Sequence, residues 1–521
     1  MNKIKLCLLA TASLCLTAGA QAKKGSGSGA EAPGCVTQSA QQCVELALDA
    51  MGGRERLLAV KNVRLTVTGH TLLTEQSYRQ APFITSYERD LTTLDLTEQR
   101  LRTEAKMTWP ESDPNQSESE ATLIVGPSGG VNYSKEGGKD NYSRCGLGDL
   151  DASREMLALG PLRLLLTASA AGDLHFEAPE TLRSTSHAVV AFTWHKVPVR
   201  VALNGFNHLP DAVETTQQFR DFWYYWGDVQ QRIYFDNFQR IHGIVYPTNL
   251  VEERNGIVWS SSQAINVEFN VPLDAHAFDM DDKVAQSSEA SPGWDHPFAG
   301  KTDKQLAPGI DLFPASWNTT VIRQSDGIVI LEAPISGLYA KGAFEEARKR
   351  YPGVPIKAVL STSDSWPHVG GVRESVAEKL PVYILDLNRP LLDRMMEAPH
   401  SLAPDVLAKA GSAKKPDWKI VSEKTVVGSG DNRMELYPLR GASTERQYMV
   451  YFPAHHLLYA SDTLVLGGDG HLYAPELTYE VVQAVNREHL EIDTVYAMHQ
   501  QPVPWSQVIS LIDLIEKSEH S

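Results

Sequence analysis

The chain has 521 residues, of which 42% are hydrophobic and 21% charged, with a formal net charge of −16. That length exceeds what one ordinary core organises and predicts two or three domains, since compact domains usually run about 100–250 residues. The composition excludes a disordered or membrane-spanning chain, and the acidic balance excludes the basic face that nucleic-acid binding needs.

Residues 1–22 read as a signal peptide, with Lys3 and Lys5 ahead of the apolar run Leu6 to Ala18 and Ala20-Gln21-Ala22 as the cleavage site. Losing those two lysines takes the formal charge from −16 to −18. No later segment supplies the ~20 apolar residues of a transmembrane helix, so the expected location is the periplasm or the cell exterior. Cys35, Cys43 and Cys145 remain. An oxidising compartment permits one disulfide among them; Cys35 and Cys43 are nearest in sequence, which leaves Cys145 over.

Residues 23–34, rich in Gly, Ser, Ala and Lys, read as a flexible tether. Gln38 to Met51 has helical spacing and stops at Gly52-Gly53. From Val63 the texture becomes alternating, as in Val63-Arg64-Leu65-Thr66-Val67-Thr68-Gly69, and it recurs near 84–108, 118–134, 188–203 and 210–270. Alternation means one buried and one wet face, hence an antiparallel sheet. One helix, Ser153 to Ala170, interrupts it with leucines that would cover the sheet's open face.

Gly126-Pro127-Ser128-Gly129-Gly130 fits the nucleophile-elbow pattern, but a strand follows where that motif needs a helix, so a hairpin turn is expected. The cluster Phe219, Phe222, Trp223, Tyr224, Tyr225 and Trp226 has two readings, a hairpin with aromatics on both faces or a contact for a ligand or partner. Leu209-Pro210, the segment 231–238 and Gly243-Ile244-Val245-Tyr246-Pro247 resemble the half-barrel of periplasmic lipoprotein carriers. That likeness implies a curved sheet around a helix, with an apolar cavity in some relatives.

Residues 281–305 turn rich in Ser, Pro, Asp and Lys and read as a linker between domains 35–280 and 306–521. Beyond it the order is strand (Thr319–Arg323), strand (Gly327–Glu332), helix (Tyr339–Tyr351), strand (Ile356–Leu360), which implies βαβ construction. The last strand runs into the polar loop Ser361-Thr362-Ser363-Asp364-Ser365-Trp366-Pro367-His368, followed by Val369 and the Gly370-Gly371 pair opening a helix. Strand-to-helix loops of this kind are where α/β folds place chemistry.

This stretch resembles the strand-H-x-H-x-D-H-x-G-G signature of the metallo-β-lactamase superfamily. Asp326-Gly327-Ile328-Val329-Ile330-Leu331-Glu332, Tyr351-Pro352-Gly353-Val354-Pro355-Ile356 and Leu458-Tyr459-Ala460-Ser461-Asp462 stand in that superfamily's order around it. The resemblance implies an αββα sandwich over 306–521, and with the first half an α+β two-domain protein. Carried over by position, the first metal's histidines fall on Ser363, Ser365 and Ser443, and an aspartate of the second falls on Pro367. None is an imidazole's equal as a zinc ligand.

The remaining ligands of the second metal fall on His368, Asp462 and His499. The resemblance implies that these would hold one zinc, iron or manganese ion, or none, with Asp462 as ligand or base and a bound water as nucleophile. Asp364 is nearby in a non-ligand slot. His455 and His456 do not complete the set, because strand alternation would turn them to opposite faces.

The expected function is therefore an exported hydrolase-like protein performing water-mediated hydrolysis at a reduced, at most one-metal site. The alternative is a catalytically inactive pseudoenzyme, a periplasmic binding or scaffold protein for a hydrophobic small molecule or lipid-like ligand. A third route would use Ser363 or Ser365 as nucleophile with His368 as base.

Overall fold

A computed structural model describes residues 32–74, 85–108, 119–136, 139–287, 295–298, 300, 304–411, 415–467 and 470–519. The expected signal peptide and most of the tether lie outside the described residues.

The first helix, Ala40–Ala50, begins at Ser39, whose hydroxyl accepts the Gln42 N–H while the Gln42 side chain accepts the Ser39 N–H. This capping box satisfies two donors that a helix start leaves open. The helix buries Cys43, Val44, Ala47 and Leu48, and Cys43 is disulfide-bonded to Cys35, whereas the buried Cys145 is free.

Fourteen strands between Asn62 and Phe269 form one sheet, antiparallel in all the pairings described. Asn62–Leu72, the first strand, pairs with Thr85–Asp95 on one side and with the last strand, Ile257–Phe269, on the other. First and last strands thus meet at the centre, and two wings spread to Lys139–Arg144 and His175–Phe176. The alternating residues Val63, Leu65, Leu94 and Val267 join Leu48 of the first helix in one core with Leu157, Leu164 and Leu165. Gly126 pairs with Gly129 across a tight turn, so the nucleophile-elbow pattern is a hairpin.

The single helix expected over Ser153–Ala170 is two, Leu147–Leu159 and Leu164–Ala170. Pro161 has no N–H to donate and its ring crowds the preceding turn. The chain breaks after Gly160, whose carbonyl then accepts the N–H groups of Arg163 and Leu164 and starts the second helix.

The stretch expected to be a linker adheres where it is described. Asp282–Ala285 forms a helical turn whose Ala285 packs with Ile124 and Val131, and the Phe298 ring lies 5.6 Å from Phe313 and 5.0 Å from Tyr339, centroid to centroid. Two apolar side chains anchor a segment that its Ser, Pro and Asp content made look free.

The second half has two sheets, seven strands from Lys304 to Val421 and six from Thr425 to Pro504. One core, with Ile322, Val329, Leu360, Leu436 and Val450, lies between them. A second packs the helix Gly337–Arg350 through Tyr339, Ala340 and Phe344 on the outer face of the first sheet. A third packs Pro475–Arg487 and Trp505–Glu519 on the outer face of the other, through Val481, Val485, Val508 and Ile512. The layer order is helix, sheet, sheet, helix, as the metallo-β-lactamase resemblance implies. Gly327–Leu331, Ile356–Leu360, Val382–Leu385 and Trp418–Val421 run parallel, so their C-terminal ends share one edge.

The aromatic cluster is not a hairpin's two faces. The strands stop at Gln217 and resume at Val229, and the rings fill the loop between, with Tyr224–Trp226 in a short 3-10 turn. Trp223, Tyr225 and Trp226 enter the helix-side core of the second half. Asp228 fastens the same loop by accepting the N–H groups of Ser401 (2.8 Å) and Leu402 (3.0 Å). Behind it, buried Arg254 stacks over Trp259 at 3.5 Å and Phe219 at 4.1 Å and pairs with Asp221 and Glu252, each at 2.8 Å. A buried guanidinium needs this much compensation.

Candidate functional site

Two parallel strand ends build the site. Gly327–Leu331 delivers Glu332 and Ile356–Leu360 delivers the loop from Ser361, with the Glu332 N–H bonded to the Leu360 carbonyl at 3.0 Å. Glu332 has φ +63°, a left-handed conformation that a non-glycine residue adopts at some cost; it turns the carboxylate inward. Residues 361 to 369 are buried without exception. Trp366–Val369 forms one helical turn with Pro367 near its start, where a missing N–H costs nothing. A Cβ on Gly370 would collide with the Ile335 carbonyl and the Tyr224 hydroxyl, which explains the glycine.

His368 sits between two carboxylates. Its Nδ1 is 3.1 Å from Glu332 Oε1, and its Nε2 is 3.7 Å from Asp462 Oδ2, beyond hydrogen-bond length but within ion-pair range. The other oxygen of Asp462 faces His499 Nε2 at 3.2 Å, while His499 Nδ1 is 2.6 Å from the Ser316 carbonyl. Glu332 Oε1 also accepts from the Thr362 N–H (3.2 Å) and hydroxyl (2.5 Å) and from the Tyr459 hydroxyl (3.3 Å). The Thr362 and Ser461 hydroxyls are 2.7 Å apart, and the Asp462 N–H donates to Gln447 Oε1 at 3.1 Å.

The three residues singled out in the sequence therefore come together, as a chain of alternating charge: Glu332, His368, Asp462, His499. Burial pulls the His368 imidazole down, but the Glu332 and Asp462 carboxylates outweigh it and hold the group up at about 10. Burial likewise raises Asp462, yet His499 and His368 outweigh it and push the carboxyl well below the usual range. His499 is raised, with Asp462 overcoming desolvation.

In this arrangement the residues pair with one another rather than frame an ion. Ligands of one ion point at a shared centre, at bonds of about 2 Å for zinc. Here the Asp462 carboxylate lies between the two imidazoles, one on each oxygen, and His368 Nδ1 faces Glu332 while its buried Nε2 has no hydrogen-bond partner. Among the described residues no group of three or more His, Cys, Asp and Glu side chains is disposed to hold a metal ion.

The other residues weighed in the sequence make other contacts. The Ser363 hydroxyl accepts the Ser365 N–H at 3.2 Å, a turn contact rather than a nucleophile–base pair. The Ser443 N–H donates to Glu480, whose carboxylate also takes the Thr444 hydroxyl at 2.6 Å. Buried Asp364 lies 2.6 Å from Arg446 Nε; desolvation raises its carboxyl to about 7 despite that cation. His455 and His456 fall at a 3-10 turn rather than on a strand, and His455 Nε2 is bonded to Asn432 at 2.9 Å.

Glu332 is the site residue the sequence reading missed. In the sequence it reads as the end of a strand, and the available signal is an acid directly after five apolar residues, on a strand parallel to the one feeding the loop.

Trp366 closes the outside. Phe222 stacks on it at 4.9 Å and 22°, Tyr224 meets its edge at 6.4 Å, and Trp317 stands 5.8 Å from Trp366 and 6.4 Å from His499.

No protein-family model matches the chain, and neither does any curated protein. Solved structures do match part of it. The stereoselective inverting sec-alkylsulfatase from Pseudomonas sp. aligns at 14% identity over 41% of each chain, TM-score 0.30, so this chain spans about two fifths of that protein's length. The metallo-β-lactamase from Pontibacter korlensis aligns at 14% identity over 41% of this chain and 98% of its own, TM-score 0.32. That from Erythrobacter litoralis aligns at 14% identity over 43% and 99%, TM-score 0.32.

Proposed function

We propose that this is an exported two-domain binding or scaffold protein for a hydrophobic, small-molecule or lipid-like ligand, in which the second domain keeps a hydrolase-type sandwich without its metal chemistry. The observation carrying this reading is the closure of the motif loop. Residues 361 to 369 are buried, and Phe222 and Tyr224 of the first domain lie on Trp366. A substrate needs a concave, reachable site, whereas this loop serves as the socket into which the other domain plugs. The charge relations agree, since each nitrogen of His368 lies within ion-pair range of a carboxylate, so a proton held there is stabilised.

Hydrolysis at His368, Asp462 and His499 is the second reading, favoured by one observation: the His499 side chain remains 31% exposed beside Asp462. A screen of esters, lactams and phosphoesters with added zinc, ferrous iron or manganese separates the two. The scaffold reading expects equal background rates for wild type and His368→Ala; turnover abolished by His368→Ala or Asp462→Ala overturns it. Native mass spectrometry after gentle extraction should show a copurified apolar compound, and a clean spectrum counts against the binding role.

A further inference from the structure

The first half contains a cleft of about 750 Å³, within the range of small-molecule sites, roughly 300–1,000 Å³. Its position follows from the topology. The turn at Pro127 and the turn at Trp194 to Val197 belong to opposite wings of the fourteen-stranded sheet, yet both line this cleft, so the wings curl toward each other over the helix Leu147–Leu159. Leu402 of the second half completes the wall, held there by Asp228. The cleft thus lies where the two halves meet.

Its charges do not cancel. Asp151 is engaged by Arg220 through two parallel contacts, Nε to Oδ2 at 2.5 Å and Nη2 to Oδ1. Glu155 accepts from Gln217 Nε2 at 3.0 Å, and burial raises its carboxyl to about 7. Arg154 makes a single long bond, 3.4 Å to the Pro127 carbonyl, and Lys196 has no ion pair among the described residues. The lining thus carries three cations, Arg154, Lys196 and Arg220, against two carboxylates, beside the apolar surfaces of Trp194, Leu157 and Ala158, and a cationic excess is conspicuous in a chain of net charge −16.

We propose that this cleft binds a small organic anion with an aryl or alkyl body, its acidic group at Arg154 and Lys196 and its body against Trp194, Leu157 and Ala158. The inference rests on the binding reading above and names its site and ligand class. A guanidinium and an ammonium at the rim give the orientation, and the apolar wall gives most of the affinity.

The test uses two dyes of like shape on the full-length protein, the anion 1-anilinonaphthalene-8-sulfonate and the neutral N-phenyl-1-naphthylamine, followed by fluorescence titration. The expected result is one site per chain, with the anion bound at least tenfold more tightly. Arg154→Gln with Lys196→Gln should weaken the anion at least tenfold and leave the neutral dye within twofold. Ala158→Trp, which fills the cleft, should weaken both, with circular dichroism unchanged for each variant. Anion binding indifferent to the charge variant, or equal affinity for the two dyes, overturns the assignment. Should mass spectrometry find an apolar ligand whose retention Ala158→Trp does not alter, the binding reading stands and this cleft is wrong. Should His368-dependent hydrolysis accompany charge-dependent dye binding, the cleft stands and the scaffold reading falls.

Discussion

The ring of Phe222 lies flat on that of Trp366, 4.9 Å between centroids and 22° between planes, so a side chain from the first half of the chain seals the loop that carries His368 in the second. Stacked aromatic pairs contribute about 0.5–1.5 kcal/mol beyond their buried area. Trp366→Ala is expected to cost about 3–5 kcal/mol. In a double-mutant cycle with Phe222→Ala, read by urea unfolding, the two losses should couple by about 1 kcal/mol. Strict additivity would show that the contact carries no energy between the halves.

The buried pair of His368 and Glu332 makes a pH prediction. His368 is held at about 10 in the folded protein against an ordinary value of 6.5. A cationic group with a raised folded value stabilises fully below its unfolded value and loses that contribution as pH rises through the folded one. Unfolding free energy should therefore decline from pH 6.5 towards 10. Glu332→Gln, which keeps the hydrogen-bonding shape but removes one carboxylate, should flatten that decline and cost about 3–5 kcal/mol near neutrality. A variant with the wild-type slope would show that His368 is not charged there.

Much of this arrangement was legible in the sequence, where local chemistry decides. The capping box at Ser39, the alternation from Val63, and the strand, loop and glycine pair around His368 each depend on neighbours in the chain. Their structures follow the pattern. The placing of His368, Asp462 and His499 together came from resemblance. Elements governed by distant partners were not legible. Nothing near Phe222 says that a loop of one half will enter the core of the other, and Glu332 reads as one more strand residue until its parallel neighbour is known. The break at Gly160-Pro161 is a different case, since the proline was visible but the leucine spacing on either side suggested continuity.

The Cys35–Cys43 disulfide closes a short loop, with a sequence separation of 8, onto the helix that fills the centre of the first core. On the chain-entropy account its removal should cost about 2–3 kcal/mol. A Cys35→Ser/Cys43→Ser protein should unfold at lower temperature in calorimetry, with the second half's transition unchanged; a downward shift of both transitions would place the cross-link's influence beyond the first core.

The central claim is that His368, Asp462 and His499 pair with one another and with Glu332 rather than hold a metal. Equilibrium dialysis of the purified full-length protein against zinc, ferrous iron or manganese, followed by elemental analysis, tests it most directly. The account predicts no equivalent of metal whose retention depends on His368, Asp462 and His499. One equivalent held by the wild type and lost in Asp462→Ala would contradict it.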